Sequence, residues 1–399
     1  MKPDNLEVRA PDRASDHDEL IDLVATTFAR EDPDAMRRRC LDWYLDHSHY
    51  DWDASRIGLI GGRIVTHYGI WGYSMRIGTA RVRAGGVGAV ATAKEHRKKG
   101  LMALTAPASI EAMRELGYDM SVLFGIRGFY EKFGYVRAWH FEVWAVSAEN
   151  LPDPHPRPRL LRFKPGRRAD VEEIYAREHA TVTGSAVRPT FAVWQPDFEG
   201  HRWADGTART AGYVIVSRKG DALHCVESGG DPDQTLEALG TLARRLGAKE
   251  VKFDYPPWGS ALCERLRRSE CRFERYYGDS GGPMVLTVKL ASTLGKMSGE
   301  LSRRLRRSDM SGWQGQLLIA DARERVTLHV DGGRAKVGPP ARTRHSVRGG
   351  HEIAQLLIGK DPPLEVVKSA GMRLGGDARA LVQALFPEQH PTLRRHDLP

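Results

Sequence analysis

Residues 87–116 read VGAVATAKEHRKKGLMALTAPASIEAMREL. Residues 87–92 are small, apolar and partly β-branched, which suits a buried strand. A basic turn follows, carrying Lys94, His96, Arg97, Lys98 and Lys99, and it ends at Gly100. From Leu101 onward, Met102, Ala106, Ile110 and Met113 recur at helical spacing and predict a long helix. Such a junction captures anions. The first four N–H groups of a helix have no internal partner, and the helix dipole adds partial positive charge there. Gly100 removes the side chain that would hold a phosphate off the backbone, and Lys98 and Lys99 charge the rim. Pro107 cannot donate its backbone hydrogen bond, so a kink or a 3₁₀ start is expected in this helix.

Beyond a strand predicted at residues 120–124, the chain reads Gly125-Ile126-Arg127-Gly128-Phe129-Tyr130-Glu131-Lys132-Phe133-Gly134-Tyr135. The run Arg97-Lys98-Lys99-Gly100-Leu101 resembles the pyrophosphate loop of the GNAT acetyltransferases, Arg/Gln-x-x-Gly-x-Gly/Ala, with Met102 standing where the last small residue usually sits. Residues 129–135 resemble the second signature of that family, a tyrosine followed by Phe-Gly-Tyr. The resemblance implies a mixed α/β (α+β) fold in which two neighbouring strands splay apart. Acetyl-CoA would lie in the V-shaped gap, held by Val90, Ala91, Thr92, Arg97, Lys98, Lys99, Gly100, Leu101 and Gly125, with no metal. Tyr130 would be the general acid that protonates the leaving thiolate.

Read in order, residues 6–9 predict a strand, and Ser15 with Asp18 makes a capping-box-like start for a helix carrying Leu20, Ile21, Leu23, Val24 and Phe28. A second helix is expected at 35–45, then strands at 56–60 and 63–70 joined by Gly61-Gly62. Gly78 predicts another hairpin leading into residues 87–92, and the alternation over 139–146 is expected to close the first domain. A proline-rich linker follows at 150–158. Residues 160–254 then repeat the opening theme. Where the phosphate loop should recur stands Ser228-Gly229-Gly230-Asp231-Pro232-Asp233, whose carboxylates cap a helix and repel pyrophosphate, so this second copy is expected not to bind coenzyme A. From about residue 290 a basic amphipathic helix, short strands at 316–320, 325–330 and 334–338, and helices at 353–357, 364–370 and 378–385 are expected.

His96-Arg97-Lys98-Lys99-Gly100-Leu101 followed by a bulky residue is the form found in the enhanced intracellular survival (Eis-like) acetyltransferases. That resemblance covers nearly the whole chain. It implies an active GNAT domain at 1–150, a degenerate one at 151–290, and a sterol-carrier-like α+β domain at 291–399. It also implies a homo-oligomer, a hexamer, and an acceptor pocket walled in part by Phe28, Asp32 and Trp43. The C-terminal carboxylate, here on Pro399, would be the general base, with His396 in reserve; the family ends in an aromatic residue, and this chain does not. The implied reaction moves an acetyl group from acetyl-CoA to a primary amine of an aminoglycoside or similar polyamine. The alternatives are a protein-lysine acetyltransferase and a lipid- or ligand-binding protein carrying a relic GNAT domain.

Composition narrows the field. The 399 residues are enough for two or three domains, and no apolar run approaches the length of a membrane span. The net charge of +9 fits an anionic coenzyme, and its spread-out basic clusters lack the interleaved aromatics of a nucleic-acid surface, so no nucleic-acid partner is expected. Cys40, Cys225, Cys263 and Cys271 form no C-x-x-C pair, which points to reduced thiols in the cytoplasm and no zinc site.

Overall fold

Hairpins build the first sheet. The computed structural model describes residues 5–29, 32–41, 49–163, 168–190, 197–206, 209–278, 281–394 and 397. Strand β1 (Glu7–Arg9) leads to helices α1 (His17–Phe28) and α2 (Pro33–Cys40), then to β2 (Arg56–Ile60), β3 (Arg63–Ile77) and β4 (Ala80–Thr92). Gly61 at φ 58° and Gly62 at φ 78° form the left-handed pair that a two-residue hairpin needs between β2 and β3. Helix α3 (Met102–Glu115) crosses over, and β5 (Met120–Gly125) returns parallel to β4. Helix α1 buries Leu20, Ile21 and Val24 on one side of the sheet, and α3 packs Met102, Ala106, Ile110 and Met113 with Tyr68 and Ile70 of β3. Ser15 does not cap α1. The cap is Asp16, whose carboxylate is held by Arg9 at 2.5 and 2.9 Å and by the Asp12 amide at 2.7 Å.

A strand exchange ties the first sheet to the second. After β6 (Val136–Arg137) comes β7 (Phe141–Ser147), then β8 (Leu161–Phe163), α4 (Ala169–Glu178), β9 (Ala186–Val187), β10 (Glu199–Ala204), β11 (Thr210–Lys219) and β12 (Ala222–Gly229). Helix α5 (Pro232–Leu246), β13 (Glu250–Asp254), α6 (Ala261–Arg267), β14 (Cys271–Tyr276) and β15 (Gly282–Thr287) complete this part. The sheet orders are β1-β2-β3-β4-β5-β15-β6 and β8-β10-β11-β12-β13-β7-β14, the same arrangement twice. Strand β7, expected to close the first sheet, instead lies between β13 and β14, and β15 takes the seat beside β5. Alternation fixes which face of a strand is apolar but not which sheet receives it. Trp144 and Val146 pack into the core around Leu236, Leu239 and Phe253. Strand β9 leaves the second part to pair with β3.

The remainder adds α7 (Leu290–Arg306) and a five-stranded sheet of β16 (Gly315–Ala320), β17 (Arg325–Asp331), β18 (Arg334–Gly338), β19 (His345–Arg348) and β20 (Arg373–Gly375), in the order β18-β17-β16-β19-β20. Helix α10 (Ala378–Leu385) packs on β19 and β20, while α8 (Ile353–Leu357) packs on β6 and β15 of the first sheet and α9 (Pro363–Ser369) lies between the two helices. Leu294, Met297, Leu301 and Leu305 of α7 share one core with Val82 of β4 and Leu328 of β17, so the third sheet is packed on the first. Glu300 seals that contact. Its carboxylate takes Arg303 at 2.8 and 2.6 Å, Arg304 at 2.7 Å and the Thr79 hydroxyl at 2.8 Å, and these partners hold it well below the usual carboxylate range, to about 2. Among the described residues no helix is long and apolar enough to cross a membrane.

Candidate active site

Strands β4 and β5 are paired only as far as Val87 and Leu123. Past that point β4 stays bonded to β3 out to Thr92, while β5 turns away, and a gap opens between them. The register of β3 and β4 shifts between His67 and Gly69. Opposite that shift Ala89 adopts φ 47°, so β4 carries a bulge at the gap. Gly88, Ala89 and Val90 are half-buried where residues 84–87 just before them are buried.

The basic turn closes one end of the gap. Lys98 at φ 62° and Gly100 at φ 78° are both left-handed and fold the loop onto the start of α3. The Arg97 Nε–H donates to the Thr92 carbonyl at 3.0 Å, which ties the loop to the end of β4. The first turn of α3 is tight, with Ala103 N–H donating to Gly100 O and Leu104 N–H to Leu101 O, each at 3.0 Å. Pro107 leaves the Ala103 carbonyl without its helical donor, and both residues line the cleft. The whole cleft has a volume of about 850 Å³ and runs from His96, Arg97, Lys98 and Gly100, past Val90 and Thr92, to Phe129 and Tyr130.

Tyr130 begins a short 3₁₀ turn (Tyr130–Phe133). Its ring is buried edge-on against Phe129 at 4.9 Å and Tyr135 at 6.1 Å. A Cβ on Gly125 would lie 2.8 Å from that ring, so glycine is what lets β5 approach the tyrosine. Burial raises the Tyr130 phenol above its ordinary value, which keeps it protonated through the neutral range. Among the described residues nothing hydrogen-bonds to its hydroxyl. Behind it, Tyr135 bonds Ser121 at 2.7 Å and Tyr68 at 3.2 Å.

The structure brings Val90, Thr92, Arg97, Lys98, Gly100, Leu101, Tyr130 and Phe28 together on this cleft. Phe28 is 46% exposed there, at the end of α1. Three expected coenzyme contacts sit elsewhere. The Ala91 side chain belongs to the core under α1, Lys99 is exposed off the lining, and Gly125 lies behind Tyr130. Asp32 is not on the cleft either; it caps α2, accepting the Ala35 amide at 2.9 Å. Trp43, His396 and Pro399 lie outside the described residues. Ile126, Phe129, Phe133 and Pro107 line the cleft although none was expected to touch coenzyme or acceptor. Ile126, an apolar residue directly after a strand-ending glycine, is the one with a visible signal: it is 65% exposed.

The sequence signature of the acetyltransferase (GNAT) domain matches residues 8–138, and this stretch is a GNAT acetyltransferase domain. Solved structures match the fold over nearly the full chain. A GCN5-related N-acetyltransferase from Anabaena variabilis is 14% identical with a TM-score of 0.76, covering 98% of this chain and 99% of its own. A probable N-acyltransferase from Enterococcus faecalis is 16% identical with a TM-score of 0.78, at 98% and 99% coverage. Eis1 from Mycobacterium abscessus is 13% identical with a TM-score of 0.68, at 97% and 99% coverage. No curated protein matches the sequence.

Proposed function

We propose that the protein transfers the acetyl group of acetyl-CoA to a primary amine, by direct attack with both substrates bound. The observation that carries this reading is the continuous cleft from the left-handed basic loop at Lys98 and Gly100 to the buried phenol of Tyr130. Its chemistry fits the coenzyme at both ends. The amides ahead of Ala103, with Arg97 and Lys98, suit a pyrophosphate, and the bulged edge of β4 suits the amide-bearing arm.

Acetyl-CoA supplies an activated thioester. Transfer forms a C–N bond to the amine and breaks the C–S bond. The Val90 amide is assigned to the thioester oxygen, where negative charge develops. The Tyr130 Oη proton goes to the departing sulfur. A free amine is mostly protonated at neutral pH, so a base must take its proton, and the Pro399 carboxylate is assigned that role with His396 in reserve.

An aminoglycoside or similar polyamine is the proposed acceptor class, and Phe28 its one described wall. The proposed divisions, 1–150, 151–290 and 291–399, each hold most of one sheet, with β7 and β15 crossing between the first two. The sterol-carrier-like reading of the third is supported by its five-stranded sheet backed by α7. A hexamer belongs to the same reading and is measured by light scattering. All four cysteines are free thiols, which supports a reducing, cytoplasmic setting.

The test is release of coenzyme A thiol from acetyl-CoA across aminoglycosides, simple polyamines and lysine peptides. Turnover with aminoglycosides is expected. Turnover confined to peptides would replace the acceptor class, and no turnover with any amine would remove the reading.

A further inference from the structure

The second sheet contains the same gap as the first. Strands β12 and β13 are paired only as far as Cys225 and Phe253, while β12 stays bonded to β11 out to Gly229. By sheet order β12 and β13 stand where β4 and β5 stand in the first sheet. Here, however, the space is filled by protein. At the phosphate end, Glu178 accepts the Gly230 amide at 2.7 Å, a carboxylate where the first domain leaves amides for an anion. At the open end lies the chain's own C-terminal segment. Arg394 is buried and donates to the carbonyls of Asp254 and Tyr255, at 2.9 and 2.8 Å, where β13 ends. The Thr392 amide donates to the Thr183 carbonyl at 2.9 Å.

The charges show that this seat is built for the segment. Glu227 on the free edge of β12 and Asp397 are both 0% exposed. Arg188 lies between them, bonded to Glu227 at 3.0 and 2.6 Å and to Asp397 at 3.2 and 2.9 Å, with its guanidinium 3.6 Å above the Tyr175 ring. Tyr213 donates to Glu227 at 2.7 Å. Burial keeps His179 neutral beside Arg394. The segment brings the buried Asp397 carboxylate to a guanidinium that also holds Glu227, so Arg188 is shared by two buried carboxylates. A buried charge left without its partner is strongly unfavourable, so the buried Asp397 carboxylate calls for the Arg188 guanidinium.

We infer that the second GNAT-like unit is a receptor for the chain's own C-terminal segment, seated through Thr392, Arg394 and Asp397 at the gap that corresponds to the coenzyme gap of the first unit. Arg188 and Asp397 are the positioning pair of this seat. The inference deepens the proposed transferase reading, because the seat fixes a residue two positions from the carboxylate assigned as base.

Hydrogen exchange read by mass spectrometry on the full chain tests the seat directly. In the native protein the peptide covering residues 392–399 is expected to be protected. In Asp397→Asn, which keeps the shape and removes the charge, its exchange should be at least about ten-fold faster, since a tenfold change corresponds to about 1.4 kcal/mol. The segment around residues 183–188 should loosen with it. Arg188→Met should do the same, while α3 and α7 keep native exchange and thereby report an intact fold. A terminal peptide that exchanges at the solvent-limited rate in the native protein, or protection unchanged in Asp397→Asn, would overturn the inference. Kinetics separate it from the transferase reading. Calorimetry should show unchanged acetyl-CoA affinity in Asp397→Asn, with turnover reduced and the coenzyme KM kept. A protected terminus in a protein that acetylates no amine would remove the transferase and leave the receptor standing.

Discussion

His67 donates from Nδ1 to the Ala89 carbonyl at 2.8 Å, and its Nε2 lies 2.8 Å from the Tyr50 hydroxyl. A carbonyl can only accept, so the Ala89 bond fixes the tautomer and leaves Nε2 to accept from Tyr50. Both side chains are buried under the sheet. The bond grips the one residue of β4 in a left-handed conformation, which costs an L-residue roughly 1–2 kcal/mol. Val90, the next residue, lines the cleft.

If the His67 bond aims the Val90 amide, removing it will slow transfer without loosening the coenzyme. His67→Leu is expected to lower kcat by roughly ten- to a hundred-fold, about 1.4–2.7 kcal/mol. The acetyl-CoA dissociation constant should stay within about two-fold, because the phosphate loop is untouched. His67→Asn carries an N–H at the Nδ1 position and should recover part of the loss. Equal loss in the Asn and Leu variants, or a parallel loss of coenzyme affinity, would count against the bulge as the element held.

The same histidine makes the protein acid-labile. Burial lowers His67 to about 4, and His140 and His390 are also pushed down to about 4. Between pH 6.5 and 4 the unfolded chain takes up these protons and the folded chain does not, so stability falls as pH falls through that window. Burial raises Glu142 and Glu178, which act in the opposite sense just above pH 4.5. For the fully buried His67 alone the span corresponds to about 3 kcal/mol. Denaturant midpoints measured from pH 7 to 4 should drop steeply, and the drop should be shallower in His67→Asn. A flat profile would mean that the histidines protonate in the fold.

Tyr130→Phe isolates the proton donor. Nothing among the described residues depends on its hydroxyl, and its ring packing against Phe129 and Tyr135 survives the change. Turnover should fall by roughly a hundred-fold or more, the usual range for losing a general acid. Thermal stability and acetyl-CoA affinity, by unfolding and calorimetry, should be nearly unchanged. An equal loss of affinity would make Tyr130 a binding residue instead.

Local signals made much of this site readable in advance. Gly100 was legible as the residue that opens the loop backbone to a phosphate, and Tyr130, five residues after Gly125, as the residue that returns to the gap. Residues 353–357 and 56–60 fold within the bounds the sequence predicts, because burial leaves little choice of element. What stayed hidden was long-range. The exchange of β7 and β15, the short strand β19 and the Arg188–Asp397 pair depend on which distant segment arrives beside them. Ser15 and Asp32 show the limit even locally. Ser15, expected to cap α1, bonds Asp12 instead, and Asp32, expected on the acceptor pocket, caps α2.

The phosphate loop separates backbone shape from charge. Lys98 and Gly100 both sit at positive φ, and a Cβ on Gly100 would meet nothing within 4 Å, so a side chain there acts through strain and through blocking the approach of a phosphate rather than through a clash inside the protein. Gly100→Val places a β-branched residue in a left-handed turn and should raise the acetyl-CoA dissociation constant by roughly ten-fold or more, from the 1–2 kcal/mol of strain alone. Lys98→Asn keeps a residue that tolerates this conformation while deleting the charge. It should weaken acetyl-CoA by a smaller factor, and that factor should shrink as salt is raised, since an exposed cation is screened. Neither variant should change kcat at saturating coenzyme, because both lie at the far end of the cleft from Tyr130. A salt-independent loss in Lys98→Asn would show that its backbone shape, not its ammonium group, is what the loop requires.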